Sequence, residues 1–140
     1  MTQESSFMKS YSLLIRESHI DTFGHVNNAT YLQIMEEARW DMITERGYGL
    51  EKVRESKQGP VILEVNLKFL REIRLREKIN IQTELIDYKG KIGHLSQKAI
   101  KENGETAAEA VFTFGLFDLK ERKLVEPTSA WKKAVGLDQP

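Results

Sequence analysis

An α+β domain, with one long helix packed on an antiparallel sheet, is the fold class this sequence predicts. Two observations carry that expectation. A polar turn, DTFGHVNN at 21–28, runs into a stretch whose apolar residues recur at helical spacing as far as residue 46. Beyond residue 60, four runs alternate apolar and polar with a period of two, separated by turn residues. A helix that is apolar over more than half its circumference needs a sheet wrapped around it.

The elements follow in order. Residues 11–15, YSLLI, form a short first strand, and 17–26 read as loop. The helix then starts with Asn27 or Asn28 as its cap, since a short polar side chain there accepts from unpaired first-turn amides. Tyr31, Met35, Ala38 and Met42 form its apolar stripe with Ile34 and Ile43 beside them, while Gln33, Glu37 and Asp41 mark the opposite side. Gly47 is the expected stop after roughly five turns. In VILEVNLKF, Val61, Leu63, Val65, Leu67 and Phe69 are expected on one face and Glu64, Asn66 and Lys68 on the other. Ile79, Ile81, Thr83 and Leu85 repeat the pattern. Gly90 in YKGK marks a hairpin, a third strand covers 92–101, and Asn103-Gly104 marks the next hairpin. The fourth run, AAEAVFTFGLF, places Ala108, Ala110, Phe112, Phe114 and Leu116 on one side, with Val111 and Phe117 on the other. DLKERK at 118–123 reads as a turn and 129–135 as a short closing helix. With no repeats, linkers or low-complexity stretches, residues 1–140 are expected to form a single domain.

Composition narrows the function classes. Lys plus Arg number 21 and Asp plus Glu 21, so no basic excess points to nucleic acid. The chain has no cysteine, which excludes disulfide scaffolds, thiol nucleophiles and Cys-based metal sites. MTQESSFMKS lacks the basic-then-apolar pattern of a secretory signal, and no apolar run approaches the ~20 residues of a membrane helix. A cytoplasmic protein without membrane or nucleic-acid partners is therefore expected.

The turn at 21–28 holds more polar side chains than capping requires. Singly, each has an ordinary explanation: Asp21 in an Asx-turn, His25 as a structural hydrogen-bonding group, Asn27 and Asn28 as caps. Together they point to chemistry. A helix N-terminus offers unpaired amides and partial positive charge, where an oxyanion is stabilised. A carboxylate just upstream can serve as base or nucleophile, and an imidazole between them can polarise a carbonyl or orient a water. These are the parts for acyl transfer without serine or cysteine. A metal at His19, Asp21 and His25 is the weaker alternative, because the only further histidine is His94 and there is no HExxH pattern.

The stretch DTFGHVNNATYL followed by EEARWD resembles the hot-dog-fold acyl-CoA thioesterases of the 4-hydroxybenzoyl-CoA thioesterase type, closest to their bacterial long-chain acyl-CoA branch. KGKIGHLSQ at 89–97 and VFTFGLFDLK at 111–120 resemble that branch too, and the likeness runs from about Tyr11 to Glu126. It implies a sheet of about five strands wrapped around the helix. It also implies hydrolysis of medium-to-long-chain fatty acyl-CoA with no metal or redox cofactor, since coenzyme A is part of the substrate. By matching position it makes Asp21 the catalytic carboxylate, as base or nucleophile, and His25 an active-site imidazole. Asn28, where the helix begins, becomes the candidate oxyanion donor through its backbone N–H, and Tyr31 a recurrent aromatic that equally reads as core packing. Glu36 and Arg39 read as a structural i,i+3 pair. The resemblance further implies a homodimer or dimer of dimers with sites at the subunit interface, where Asn66 would line the partner's pocket.

One stretch departs from the family pattern. Where many relatives have a proline and then a Gly-Asp turn, this chain has FLREIRLREKI, with Glu72 and Arg76-Glu77. The departure concentrates Arg71, Arg74, Arg76 and Lys78, which read either as a solvated surface or as a dock for the coenzyme A phosphates, with Lys89 and Lys91 as further candidates. Hydrolysis of an acyl-carrier-protein thioester and non-catalytic acyl-CoA binding are the competing readings.

Overall fold

The computed structural model describes residues 7–137. Helix α1 spans Asn28–Glu45 and buries Tyr31, Ile34, Met35, Ala38, Met42 and Ile43. Asn27 rather than Asn28 is its cap: the Asn27 side chain accepts from the Ala29 amide at 2.9 Å. The far end closes as the stop at Gly47 suggests, with the Tyr48 amide donating to the Ile43 carbonyl at 2.7 Å.

Strands β1 (Met8–Leu14), β2 (Gln58–Phe69), β3 (Lys78–Lys89), β4 (Ile92–Lys101), β5 (Thr106–Asp118) and β6 (Lys123–Val125) build one antiparallel sheet. Its order is β1-β3-β4-β5-β2, with β6 also paired to β5. The two predicted hairpins are present, with Gly90 at φ 58° and Gly104 at φ 90° taking the left-handed conformations those turns require. Ala99 of β4 and Ala107 and Ala108 of β5 are fully buried. The architecture is the α+β arrangement read from the sequence.

Strand β2 departs from its expected pattern. A register shift between Ile62 and Glu64 reverses the alternation. Pro60, Ile62, Val65, Leu67 and Phe69 stand opposite the inward-facing Leu116, Phe114, Phe112, Ala110 and Ala108 of β5. Val61 and Leu63, expected on the same face as Val65, fall out of phase with it. As an edge strand β2 also stays open: Leu63 is 48% exposed and Phe69 50%.

Helix α2 (Leu50–Ser56) and strand β6 have no counterpart in the sequence reading, whereas helix α3 (Ser129–Val135) matches it. Thr128 caps α3 by accepting the Trp131 amide at 3.2 Å. The Trp131 ring is 1% exposed. It meets Tyr48 edge-on at 5.1 Å and donates Nε1–H to the Tyr88 hydroxyl at 3.0 Å.

A polar chain crosses the core. Gln97, fully buried, donates to the Met35 carbonyl at 3.0 Å and to Thr83 Oγ1 at 2.9 Å. Its Oε1 accepts from Arg39 at 2.9 Å, and the guanidinium lies 4.2 Å from the Phe112 ring centroid. Arg39 thus turns to the sheet instead of pairing with Glu36, and burial lowers its pKa to about 10 with the Glu36 carboxylate opposing. Among the described residues no helix is long and apolar enough to cross a membrane.

Candidate active site

The loop ahead of α1 is folded by its own backbone before any side chain is considered. The Asp21 amide donates to the His25 carbonyl at 2.9 Å, and the Gly24 amide to the Asp21 carbonyl at 3.0 Å. Gly24, at φ 83°, lets the chain reverse there. Asp21 Oδ1 accepts the Phe23 amide at 2.9 Å, so Asp21 does make the Asx-turn its residue type suggests. Its other oxygen has no hydrogen bond among the described residues.

A second segment holds the loop in place. His25 and Arg74 form an antiparallel bridge, and the Val26 amide donates to the Ile73 carbonyl at 3.0 Å. Side chains follow the backbone: His25 Nε2 lies 3.1 Å from Glu72 Oε1. The Asn27 carbonyl takes the Thr30 and Tyr31 amides and its side chain takes that of Ala29. That leaves the Asn28 N–H without an intramolecular acceptor among the described residues, at the positive end of an 18-residue helix.

One open cleft of about 290 Å³ collects His25, Asn28, Tyr31, Phe69, Arg71 and Glu72 in its walls. Three of the four catalytic candidates therefore meet there, together with Arg71. Asp21 sits in the adjoining turn, partly buried, and does not line that cleft. Lys89 and Lys91 stand apart from Arg71. They flank the β3–β4 hairpin, at the far end of the 12-residue β3 from the Arg74 turn, about 35 Å away by strand rise. His19, weighed as a metal ligand, uses Nδ1 to accept the Arg16 amide at 2.9 Å.

Tyr31 is both wall and core. It is 5% exposed and packs edge-on against Phe69 at 5.2 Å. Burial, aided by the field of Glu77, pushes its phenol up to about 12. Tyr11, hydrogen-bonded to Glu37, is raised to about 12 as well. A phenol that stays protonated at neutral pH cannot be the base. Tyr31→Phe is expected to cost no more than about tenfold in turnover, the worth of one ordinary hydrogen bond. Raised pKa values mean that the stability from these phenols is complete below pH 10 and is lost as pH rises through about 12. Absorbance at 295 nm should show a phenolate step near pH 12 that shrinks in the Tyr31→Phe protein; an unchanged titration would refute the assignment.

Glu72 is the site residue that sequence reasoning passed over. It stood out only as a departure from the family pattern, and nothing local signals its meeting with His25.

Residues 15–135 match the model of the thioesterase-like superfamily. Over 110 residues the chain is 34% identical to the long-chain acyl-CoA thioesterase FadM of Escherichia coli K12, covering 78% of this chain and 83% of that protein. The crystal structure of YbaW, a probable thioesterase from Escherichia coli, superposes with a TM-score of 0.80 at 29% identity, over 91% of this chain and 96% of that one. SAV2348 of Staphylococcus aureus, solved in complex with CoA, superposes with a TM-score of 0.87 over 95% of this chain and 84% of its own, and at 17% identity it speaks for the fold alone.

Proposed function

This chain belongs to the thioesterase-like superfamily, a family of hydrolases, and from that premise we propose that it hydrolyses medium-to-long-chain fatty acyl-CoA to free fatty acid and coenzyme A. The observation that carries the reading is the Asn28 N–H at the start of α1, unpaired among the described residues, on a residue that lines the same cleft as His25 and lies seven residues after Asp21. A thioester carbonyl in that cleft points its oxygen at the helix terminus, which stabilises the negative charge that develops on attack. Asp21 supplies the attack in one of two ways. Its free oxygen takes a proton from water while hydroxide adds to the carbonyl carbon; the C–S bond then breaks and the thiolate of coenzyme A takes up a proton. Alternatively that oxygen adds directly, expels the thiolate, and leaves a mixed anhydride that water hydrolyses.

Arg71 is the basic residue within the cleft and the first candidate for the coenzyme A phosphates, with Glu105 Oε2 at 3.5 Å as the partner a phosphate would displace. Fatty chains are supported by the likeness to FadM and by a mostly apolar cavity of about 90 Å³ against α1, between Trp40, Ile43, Ile62 and Trp131, with Glu36 and Arg39 also in its wall. Each buried methylene contributes about 0.8 kcal/mol, close to fourfold in efficiency. Thiol release measured from acetyl- to dodecanoyl-CoA should therefore climb until the pocket is full. A flat or falling profile, or faster turnover of acyl-carrier-protein thioesters, would reject the substrate assignment.

The protein is expected to work as a homodimer or larger assembly. Strand β2 is an open edge of 12 residues, and such edges are normally paired or protected. Two β2 edges paired antiparallel about a two-fold axis would bring the cleft end of one protomer, at Phe69, beside the cavity end of its partner, at Ile62. The partner's Lys89 and Lys91 would then approach the cleft that its own chain places far from them. Light scattering should give at least twice 16.2 kDa at micromolar concentration. A single species of 16.2 kDa would refute the assembly.

A further inference from the structure

The cavity against α1 has a half-buried cation in its mostly apolar wall. Arg39 Nη1 is used inside the fold, where it donates to Gln97 Oε1 at 2.9 Å. Nε and Nη2 have no hydrogen-bond partner among the described residues. They are not sealed off either, since the only buried side-chain nitrogen or oxygen there without a partner is Asn80 Oδ1. The Nε–H and Nη2–H groups point the same way along one edge of the planar guanidinium, an edge that a carboxylate can take with both oxygens. Glu36, also in the wall, acts on Arg39 only through its field. Burial lowers the guanidinium to about 10, which leaves it charged at neutral pH. The cavity and the cleft lie at two ends of one seam. On α1 the cleft touches Asn28 and Tyr31, and the cavity touches Arg39; on β2 they touch Phe69 and Ile62. Leu32 and Val65, both exposed, lie between the two ends along their elements. From Asn28 to Arg39 the helix rises about 16 Å, close to the length of an extended dodecanoyl chain.

We propose that Arg39 is a specificity-determining residue that selects acyl chains ending in a carboxylate. The thioester carbonyl sits at the Asn28 N–H, the chain follows the seam between α1 and β2, and the terminal carboxylate takes the open edge of Arg39. A methyl group in that place leaves two donors of a charged group facing hydrocarbon, which costs binding. A shorter diacid chain stops between Leu32 and Val65, where its carboxylate loses water and gains no partner. The substrate class rests on the acyl-CoA reading above; carboxylate binding at Arg39 does not.

Two measurements on the full chain test this. Thiol release from dodecanedioyl-CoA should exceed that from dodecanoyl-CoA by about tenfold in kcat/KM, the worth of a hydrogen bond to a charged group. Octanedioyl-CoA should be slower than octanoyl-CoA, a contrast that general attraction of anions to the surface would not produce. Arg39→Met should reverse the first preference. The second measurement needs no turnover. Both tryptophans of the chain, Trp40 and Trp131, line the cavity, so its filling is read from intrinsic fluorescence. Hexanoate should change the emission saturably at lower concentration than hexanol at matched ionic strength, and Arg39→Met should abolish the difference. Hexanoate no tighter than hexanol in the wild type overturns the inference, as does a wild type that turns over dodecanoyl-CoA at least as fast as dodecanedioyl-CoA. Those comparisons hold even where Arg39→Met fails to fold. A wild type that responds to hexanoate and is inert towards every acyl-CoA would sink the functional reading and leave the carboxylate site standing.

Discussion

Asp21→Asn is expected to abolish thioester hydrolysis and leave the fold in place. Asparagine keeps an oxygen where Asp21 Oδ1 accepts the Phe23 amide, so the turn ahead of α1 survives. The backbone bonds that close the turn, Asp21 to His25 and Gly24 to Asp21, do not involve the side chain. What is lost is the second oxygen as base or nucleophile. General-base contributions are typically ~10²–10⁴-fold, and the fall in kcat should be at least that large. Binding should be largely retained, because a group that acts only in the transition state affects kcat and kcat/KM alike. Thiol release and circular dichroism together decide the matter. A folded Asp21→Asn protein within about fivefold of wild type, far short of the general-base range, would make Asp21 a turn residue only. The base would then be sought at Glu64 or at Glu37, which already accepts from the Tyr11 hydroxyl.

Trp131→Ala should produce the largest loss of stability. The ring is buried against Tyr48 and Phe114, and its Nε1–H holds the Tyr88 hydroxyl. Removing a buried tryptophan costs about 3–5 kcal/mol, a large part of the ~5–15 kcal/mol that holds a domain together. Trp131→Phe keeps most of the packing and forfeits the hydrogen bond, at about 1 kcal/mol. Urea unfolding of the two variants separates the contributions. An alanine variant within 1 kcal/mol of wild type, well below the usual cost of such a cavity, would mean that α3 contributes little to the core.

Where periodicity is local the sequence reveals the fold. Helix α1, the meander β3–β4–β5 and helix α3 are legible because each displays its own repeat or turn signal. Helix α2 is not, because LEKVRES buries none of its residues and so carries no stripe. The three residues of β6 are too few to show a period. The inward face of β2 is misread because its bulge arises in pairing with β5, a property of two strands rather than one. The candidate site divides the same way. His25, Asn28 and Tyr31 lie on one loop and the helix turn that follows, so their convergence follows from spacing. Asp21 shares that loop, yet its one bonded oxygen serves the turn. Glu72 reaches His25 only because two remote segments bridge at His25 and Arg74, which no local pattern announces.

The strand order has a bearing on how the chain folds. The hairpins β3–β4 and β4–β5 join neighbours in sequence and close over short turns, events that take microseconds. The outer strands join over long distances: Met8 lies opposite Glu84, and Gln58 opposite Asp118. Loop-closure entropy makes such pairings late. The cleft hangs between the segment that follows β1 and the segment that follows β2. The meander can therefore be complete, and much of the core formed, in a molecule that as yet has no place to hold a thioester.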